Sequence, residues 1–225
     1  MDLQGLPETR RQILLFLKHE GPATSAETAR HLGVTREAVR QQMLILEQDG
    51  FIRGSADPRP GEPGRPAVRY ALTPAGEHLF PKAYDDLAVE LIDTMARQLG
   101  ADTVRQLLAS LADARVRAWQ SRLDGRSLRE RLEILRDYYT AHDPFMDIEE
   151  DAQGLRLVER NCPFFNVASR RPALCSVTVS TLSRLLGVRV VREERFQDGH
   201  GRCAFRLLVD QPVAPDEPFT LEDDG

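Results

Sequence analysis

The stretch that decides the fold runs from Thr24 to Arg53 and reads TSAETARHLGVTREAVRQQMLILEQDGFIR. A short helical pattern follows Ser25 and is broken at Gly33. Thr35 then opens a longer helix, because its side-chain oxygen can accept from unpaired backbone N–H groups. The apolar residues of that longer helix recur at helical spacing and predict a buried stripe of Val39, Met43 and Leu46. The pattern therefore predicts a helix, a tight turn and a second helix.

The start and the opposite face of the second helix carry polar side chains, most of them long and hydrogen-bonding. Arg pairs with guanine and Gln with adenine in the major groove, and the first turns of a recognition helix reach the base edges. The residues predicted to bind DNA from this helix are Thr35, Arg36, Arg40, Gln41 and Gln42. The alternative is an ordinary solvated amphipathic helix, since exposed Arg and Gln are common.

A basic hairpin is predicted directly after this helix. Phe51-Ile52-Arg53 indicates a short strand, a Gly/Pro-rich loop covers 54–66, and a second strand covers 67–72. Arg59 and Arg65 in the loop are predicted to contact phosphates or a minor groove. The alternative is a proline-rich surface loop without a partner. The arrangement resembles the winged helix-turn-helix of bacterial transcription regulators.

Length and charge set the outer bounds. The 225 residues suffice for two ordinary domains, and the formal charge of −5 means that any DNA-binding surface must be locally basic. No apolar run approaches the roughly eighteen residues of a membrane span, and the N-terminus lacks a signal layout. We therefore expect a cytoplasmic protein without a membrane partner.

The predicted fold class is α+β, with a winged helix-turn-helix, a dimerisation helix and a C-terminal α+β sensor domain containing two β-hairpins and packing helices. Residues 1–80 are predicted to form the DNA-binding domain, and 101–210 the sensor domain. The helix within 81–100 has apolar residues on more than one side, which favours a homodimer on a two-fold double-stranded DNA operator. Residues 211–225 are acidic and proline-containing, and are predicted to be disordered.

Periodicity places the elements of the second domain. The two hairpins are predicted around the turns 151–154 and 198–199. Three helices are predicted over 103–123, 127–140 and 172–186. The packing face predicted for the first of them consists of Leu107, Leu111, Ala114 and Ala118, with Leu108 and Trp119 next to it.

The three cysteines, Cys162, Cys175 and Cys203, are separated by twelve and twenty-seven residues and contain no C-x-x-C spacing. Spacing alone favours small buried hydrophobes. However, Cys175 is predicted in the first turn of a helix, where unpaired N–H groups and neighbouring Arg170 and Arg171 would stabilise a thiolate. Such a place suits an anionic iron–sulfur cluster.

Several motifs together resemble the SufR-type repressors of iron–sulfur cluster assembly genes, within a broader group of DeoR- or ArsR-like regulators. They are GRPAVRYALTPAGEHLFP at 64–81, NCP at 161–163, the later L-C at 174–175 and GHGRCAF at 199–205, and the resemblance extends to about Val209. It implies a homodimeric repressor whose three cysteines hold an iron–sulfur cluster, 4Fe–4S in preference to 2Fe–2S, and which leaves its operator when the cluster is lost. The chain departs from the family at Thr178, where members often have Glu.

Three thiolates leave one iron of a cubane for a harder ligand, such as His200 in the second hairpin turn, a carboxylate or a small molecule. The alternative is that His200 is simply an exposed turn residue. Two rival functions stay open: a winged-helix regulator that senses zinc or an organic effector, and a cytosolic thiol redox enzyme. No nucleophile and base set and no Gly-rich phosphate loop supports an enzyme, so we predict no catalytic residues.

Overall fold

The computed structural model describes residues 3–56, 67–142 and 146–222, apart from the side chains of 139–142. The chain divides into two compact units, one ending at Lys82 and one beginning at Ala83. The predicted α+β class with an N-terminal helix-turn-helix is confirmed. None of the helices in the described ranges is long and apolar enough to cross a bilayer.

The first unit contains four helices and a small antiparallel sheet, within the described residues. The sheet has the order β1-β3-β2. The elements are α1 (Glu8–Glu20), β1 (Ala23–Thr24), α2 (Ser25–Leu32), α3 (Arg36–Gln48), β2 (Ile52–Ala56), β3 (Val68–Leu72) and α4 (Pro74–Glu77). The helix-turn-helix is α2, a turn at Gly33, and α3; β2 and β3 are the strands predicted after it.

The start of α2 lies one residue earlier than the position that the sequence suggested, because Thr24 and Glu27 cap each other. The Thr24 hydroxyl oxygen accepts from the Glu27 N–H at 3.2 Å, and the Glu27 carboxylate accepts from the Thr24 N–H at 2.7 Å. Gly33 ends the helix in a left-handed conformation with φ of 68°. Both ends of α2 are thus set by local chemistry.

Strand β2 extends three residues further than predicted, through Gly54, Ser55 and Ala56. A Cβ atom at Gly54 would lie 2.8 Å from the Val68 Cγ1 atom on the neighbouring strand, so any side chain at this position would have to displace Val68. The Gly54 N–H also donates to the Glu47 carboxylate on α3 at 2.7 Å. Gly54, which suggested a loop in the sequence, therefore holds β2 against α3.

The second unit places helices against a four-stranded antiparallel sheet of order β4-β5-β7-β6. Its elements are α5 (Tyr84–Leu99), α6 (Ala101–Leu123), α7 (Leu128–His142), β4 (Met146–Asp151), β5 (Gly154–Glu159), α8 (Phe165–Ala168), α9 (Cys175–Leu186), β6 (Val188–Glu194) and β7 (Cys203–Pro212). The two predicted hairpins are present, and β5–β7 pairing joins them into one sheet, with Leu157 opposite Phe205. Leu182 and Leu186 of α9 belong to the same core cluster.

The buried face predicted for α6 is wrong. Leu107 and Leu111 are 45% and 38% exposed, whereas Leu108, Ala112 and Val116 are buried. Apolar residues occupy adjacent positions in this helix, so two stripes one residue apart are equally plausible by periodicity. Packing of Leu108 and Ala112 beside Val177 of α9 selects the second stripe.

The expected disorder of 211–225 is also wrong for the described part of that range. Pro212 completes β7, and the C-terminal segment, Val213–Glu222, packs on the second unit. The Val213 N–H donates to the Gly187 carbonyl at 3.0 Å, and buried Arg184 donates to the Pro215 carbonyl at 2.6 Å. Composition indicated a solvated tail, but buried arginines need acceptors, and this segment supplies them.

Candidate functional site

Helix α3 buries its apolar face and leaves its polar face exposed to solvent. Val39, Met43 and Leu46 are each 0% exposed, as predicted. The Thr35 side chain accepts from the Ala38 N–H at 3.3 Å and caps the helix. The polar residues predicted to bind DNA are exposed at Thr35, Arg36, Arg40 and Gln41, and partly exposed at Gln42.

In the protein alone, the polar face of α3 is held by intramolecular contacts. Arg40 pairs with Glu37 at 2.6 Å, and Gln41 donates to the same carboxylate at 3.4 Å. Arg36 donates to the Ser25 hydroxyl at 3.4 Å. The Arg40 guanidinium holds the pKa of Glu37 below its ordinary value. Exposed ion pairs of this kind contribute little free energy. Arg40 and Gln41 can therefore leave Glu37 and bind base edges or phosphates instead.

The strands after α3 carry two further arginines. Arg53 on β2 is exposed, while Arg69 on β3 donates to the Pro22 carbonyl and pairs with Glu27 at 3.5 Å. Arg69 therefore ties the sheet to the start of α2. Arg59 and Arg65, predicted to contact phosphates, lie outside the described residues.

The second unit gathers all three cysteines around one cavity of about 500 Å³. Cys162 follows β5, Cys175 is the first residue of α9, and Cys203 is the first residue of β7. Cys203 is 4% exposed, and the other two thiols are partly buried. The remaining walls include Trp119, Tyr138, Phe164, Leu182 and Gln197. Residues distant in sequence thus contribute thiols to one space.

The electrostatics of Cys175 differ from the sequence-based expectation. Arg170 pairs with Asp86 and Arg171 with Asp93, so both guanidinium groups point to α5 carboxylates. Burial raises the pKa of the Cys175 thiol, although Arg192 and a hydrogen bond from Gln197 act in the opposite direction. The cation that acts on Cys175 is therefore on β6.

Burial also raises the pKa of the Cys162 thiol, and the nearby sulfurs of Cys203 and Cys175 and the Glu159 carboxylate add to the rise. Without a bound cation or cluster, these two thiols are protonated at neutral pH and are poor nucleophiles. This state suits a site whose thiols ionise when they bind a metal centre.

Arg192 is a residue of the candidate site that was not predicted from the sequence. Its side chain is 3% exposed, and it donates to the Cys203 sulfur at 3.2 Å and to the Cys175 carbonyl at 3.0 Å. The signal was present, because Arg192 follows buried Val188 and Val190 at alternate positions of β6 and so falls on the inward face. A charged residue on the inward face of a strand needs a partner.

His200 is not brought to the cavity. It is exposed in the turn before β7, where its Nδ1 lies 3.3 Å from the backbone N–H of Arg195. Thr178 stands where members of the SufR-type family often have Glu, and it lines the cavity. Glu159 is the one carboxylate among the described residues of the cavity wall.

The cavity wall brings three cysteine thiols together as candidate ligands of a metal centre. Within the described ranges, no three His, Cys, Asp or Glu side chains stand close enough together to hold one metal ion. Cys162, Cys175 and Cys203 could hold an iron–sulfur cluster, which is larger and is bound by thiolates. A buried guanidinium beside them matches the negative charge of such a group.

One comparison with known proteins, a family model, bears on the first unit. A family model described as "Helix-turn-helix domain" matches residues 8–54. Transcriptional regulator Tm0710 from Thermotoga maritima is similar at 26% identity and a TM-score of 0.32, over 48% of this chain and 72% of that chain. NMB1585, a MarR family regulator from Neisseria meningitidis, is similar at 22% identity and a TM-score of 0.29, over 52% and 79%. The curated proteins gave no match.

The helix-turn-helix match and the exposed polar face of α3 beside the β2–β3 strands define the first unit as a DNA-binding domain of the winged-helix type.

Proposed function

We propose that this protein controls transcription through an iron–sulfur cluster held by Cys162, Cys175 and Cys203. The observation that carries the proposal is that these thiols, from a strand end, a helix start and a strand start, line one cavity. Only the folded unit gathers them, so cluster binding and local order are coupled. A 4Fe–4S cubane is favoured, with three thiolate-bound irons and a fourth on a harder ligand.

The regulator acts as a homodimer on a two-fold DNA operator. Support comes from α5, where Tyr84, Leu87 and Leu91 share one face and are 62%, 54% and 53% exposed. An apolar face of this kind is what a symmetric partner covers. The resemblance to SufR-type repressors supports the remaining steps: the loaded dimer represses cluster-assembly genes, and loss of the cluster releases the operator.

A chain of contacts inside the second unit offers a route from the cysteines to α5. The segment between Cys162 and Cys175 contains Asn166, Arg170 and Arg171. These residues contact Asp85, Asp86 and Asp93 of α5, respectively. Order imposed on this segment by a cluster would therefore reach the helix that we assign to the dimer. Occupancy then biases DNA affinity if the cluster binds one dimer geometry better than another.

A second candidate is an organic effector in place of the cluster. The cavity of about 500 Å³ lies in the range of small-molecule sites, and aromatic Trp119, Tyr138 and Phe164 line it. Zinc is less well supported, because among the described residues no trio of ligating side chains is close enough for one ion.

Anaerobic reconstitution with iron and sulfide tests the proposal. We expect a brown protein with a visible charge-transfer band, and iron and sulfide in equal amounts. The same sample, bound to operator DNA, should lose affinity when a chelator removes the iron. A colourless protein that contains no sulfide and binds operator with unchanged affinity would favour the effector candidate.

A further inference from the structure

Glu159 is an acidic side chain on the cavity face of the second sheet. Leu155 and Leu157 stand before it at alternate positions of β5, and both pack in the core of the second unit. The period of two therefore places Glu159 on the same face. Glu159 is partly buried and lines the cavity that holds the three thiols. Strand β5 thus brings a carboxylate to the thiol site, which is formed by Cys162, Cys175 and Cys203.

Strand register places Glu159 beside Cys203. The two residues are opposite each other in the antiparallel β5–β7 ladder, where paired Cβ atoms are about 4.5–5.5 Å apart. On the other side of β5, Glu159 is opposite Met146, a buried residue of the same cavity wall. The Glu159 carboxylate also adds to the rise in the pKa of the Cys162 thiol. Glu159 is therefore a neighbour of two of the three cysteines.

Two other side chains near the cysteines are poorly placed to complete the ligand set. His200 is exposed in its turn and does not line the cavity. Glu222 acts on the Cys175 thiol, but its carboxylate accepts from two Arg192 nitrogens at 2.9 and 3.1 Å and lies outside the cavity wall. Bidentate pairing commits that carboxylate to the guanidinium. Glu159 is thus the carboxylate that the described part of the chain presents to the cavity.

A carboxylate suits the iron that three thiolates leave without a protein ligand. Its oxygen is a harder donor than a thiolate sulfur, and it is anionic, whereas Thr178 in the same wall offers only a neutral hydroxyl. The Arg192 guanidinium, which donates to the Cys203 sulfur at 3.2 Å, offsets the added negative charge. A mixed set of three thiolates and one carboxylate should release a cluster more easily than four thiolates. Such release matches a regulator whose occupancy follows cluster supply.

We propose that the Glu159 carboxylate is the fourth ligand of the iron–sulfur cluster, beside Cys162, Cys175 and Cys203. This inference rests on the proposed function. Of the harder ligands that the sequence suggested, it selects a carboxylate over His200. It also makes the bond to Glu159 the weakest of the four that hold the cluster.

The test compares Glu159→Gln and Glu159→Cys with the wild type. Glu150→Gln and Glu150→Cys are the matched controls, because Glu150 is exposed on β4 of the same sheet and lies outside the cavity wall. Each protein is reconstituted anaerobically with iron and sulfide. The decay of cluster absorption in an iron chelator is then followed, and circular dichroism checks that each variant is folded.

We expect Glu159→Gln to lose its cluster at least about 10-fold faster than wild type, because even groups that only support metal ligands have effects of this size. Glu159→Cys supplies a fourth thiolate, the usual ligand of such clusters, so its cluster should decay more slowly than that of the wild type. Both Glu150 variants should decay at the wild-type rate. A residue that only supported the fold of the site would not be replaced by Cys with a gain in cluster stability.

The outcomes separate the two proposals. A wild type that acquires no cluster overturns the proposed function and this inference with it. A wild type that acquires one, with an unchanged decay rate in Glu159→Gln, overturns only the role of Glu159. Decay of the Glu159→Cys cluster at the wild-type rate or faster also overturns that role, and this comparison decides the matter if the glutamine variant does not fold.

Discussion

The two units of this protein are specified over different distances along the chain. In the first unit, the recognition helix is determined by residues within a few turns: Thr35 caps it, and Met43 and neighbouring apolar residues anchor it. In the second, the thiol site needs Cys162, Cys175 and Cys203 from three separate elements. A recognition helix can therefore be identified from residues close together in the sequence. A site built from three distant elements is recognised only in the folded structure.

The largest effect is expected when one of the three cysteines is removed from the thiol site. Changing any one of Cys162, Cys175 and Cys203 to Ser should leave a folded protein that lacks the visible cluster absorption entirely, because the proposed site already has one thiolate fewer than the usual four. Absorption and circular dichroism after anaerobic reconstitution measure both properties. His200→Ala is the control, since His200 lies outside the cavity, and it should retain the band. A single serine variant with a full-strength band would show that the three thiols do not act as one site.

The local anchor of α3 gives the next largest effect. Met43→Ala should lower the free energy of unfolding by about 2–5 kcal/mol, because Met43 is fully buried and its truncation leaves a cavity. Leu44→Ala, one residue on and 40% exposed, should change it by about 0.5 kcal/mol or less. Denaturant unfolding measures both variants. Equal losses would contradict the assignment of the buried stripe.

DNA selection should depend on α3 more than on the hairpin loop. Arg40→Ala is expected to reduce discrimination between operator and altered sites by about 1–3 kcal/mol, since a base contact is lost. Arg65→Ala should instead weaken binding to all sequences and flatten its salt dependence. Competition binding at several salt concentrations separates the two patterns. If both variants keep the wild-type sequence preference and salt slope, α3 is not the reading helix.

The cap of α2 makes a smaller contribution. Thr24→Ala should cost about 1 kcal/mol, because the Glu27 N–H loses its side-chain acceptor. Thr24→Ser keeps an acceptor oxygen and should cost less. Thermal unfolding of the three proteins measures the difference, and equal midpoints would contradict the capping role.

Acid stability offers the smallest effect, and it lies in the second unit. Hydrogen bonds from Arg206 and the Gln153 N–H lower the pKa of Asp151 from 3.8 to about 2. A lowered folded-state pKa means that this stabilisation is fully present above pH 4 and is lost as the pH falls toward 2. Asp151→Asn should remove this part of the acid dependence. Identical stability profiles of variant and wild type below pH 4 would contradict it.

The same difference between local and distant determinants decides which features could be predicted from the sequence. Val39 and Met43 were predicted correctly because helical periodicity is local. Strand β1 has two residues and no sequence signal, and the buried face of α6 was misplaced by one position because only its neighbour α9 selects it.

The thiol site was predicted only in part. Its three cysteines could be named from the sequence and the resemblance, but Arg192 and Glu222 could not. They meet through contacts spanning thirty residues and a segment whose composition indicated disorder. The acidic, proline-containing composition of the C-terminal segment predicts how that segment behaves by itself. It does not show that the buried Arg192 guanidinium needs a carboxylate from this segment.

Operator affinity with and without the cluster tests the central claim most directly. It is measured at one salt concentration for reconstituted wild type, for wild type stripped by a chelator, and for the triple Cys→Ser protein. We predict that stripping weakens operator binding by about 5–150-fold, the usual range of allosteric coupling, and that the triple variant matches the stripped protein. A triple variant that binds operator as tightly as the reconstituted wild type would show that the cluster is not the signal.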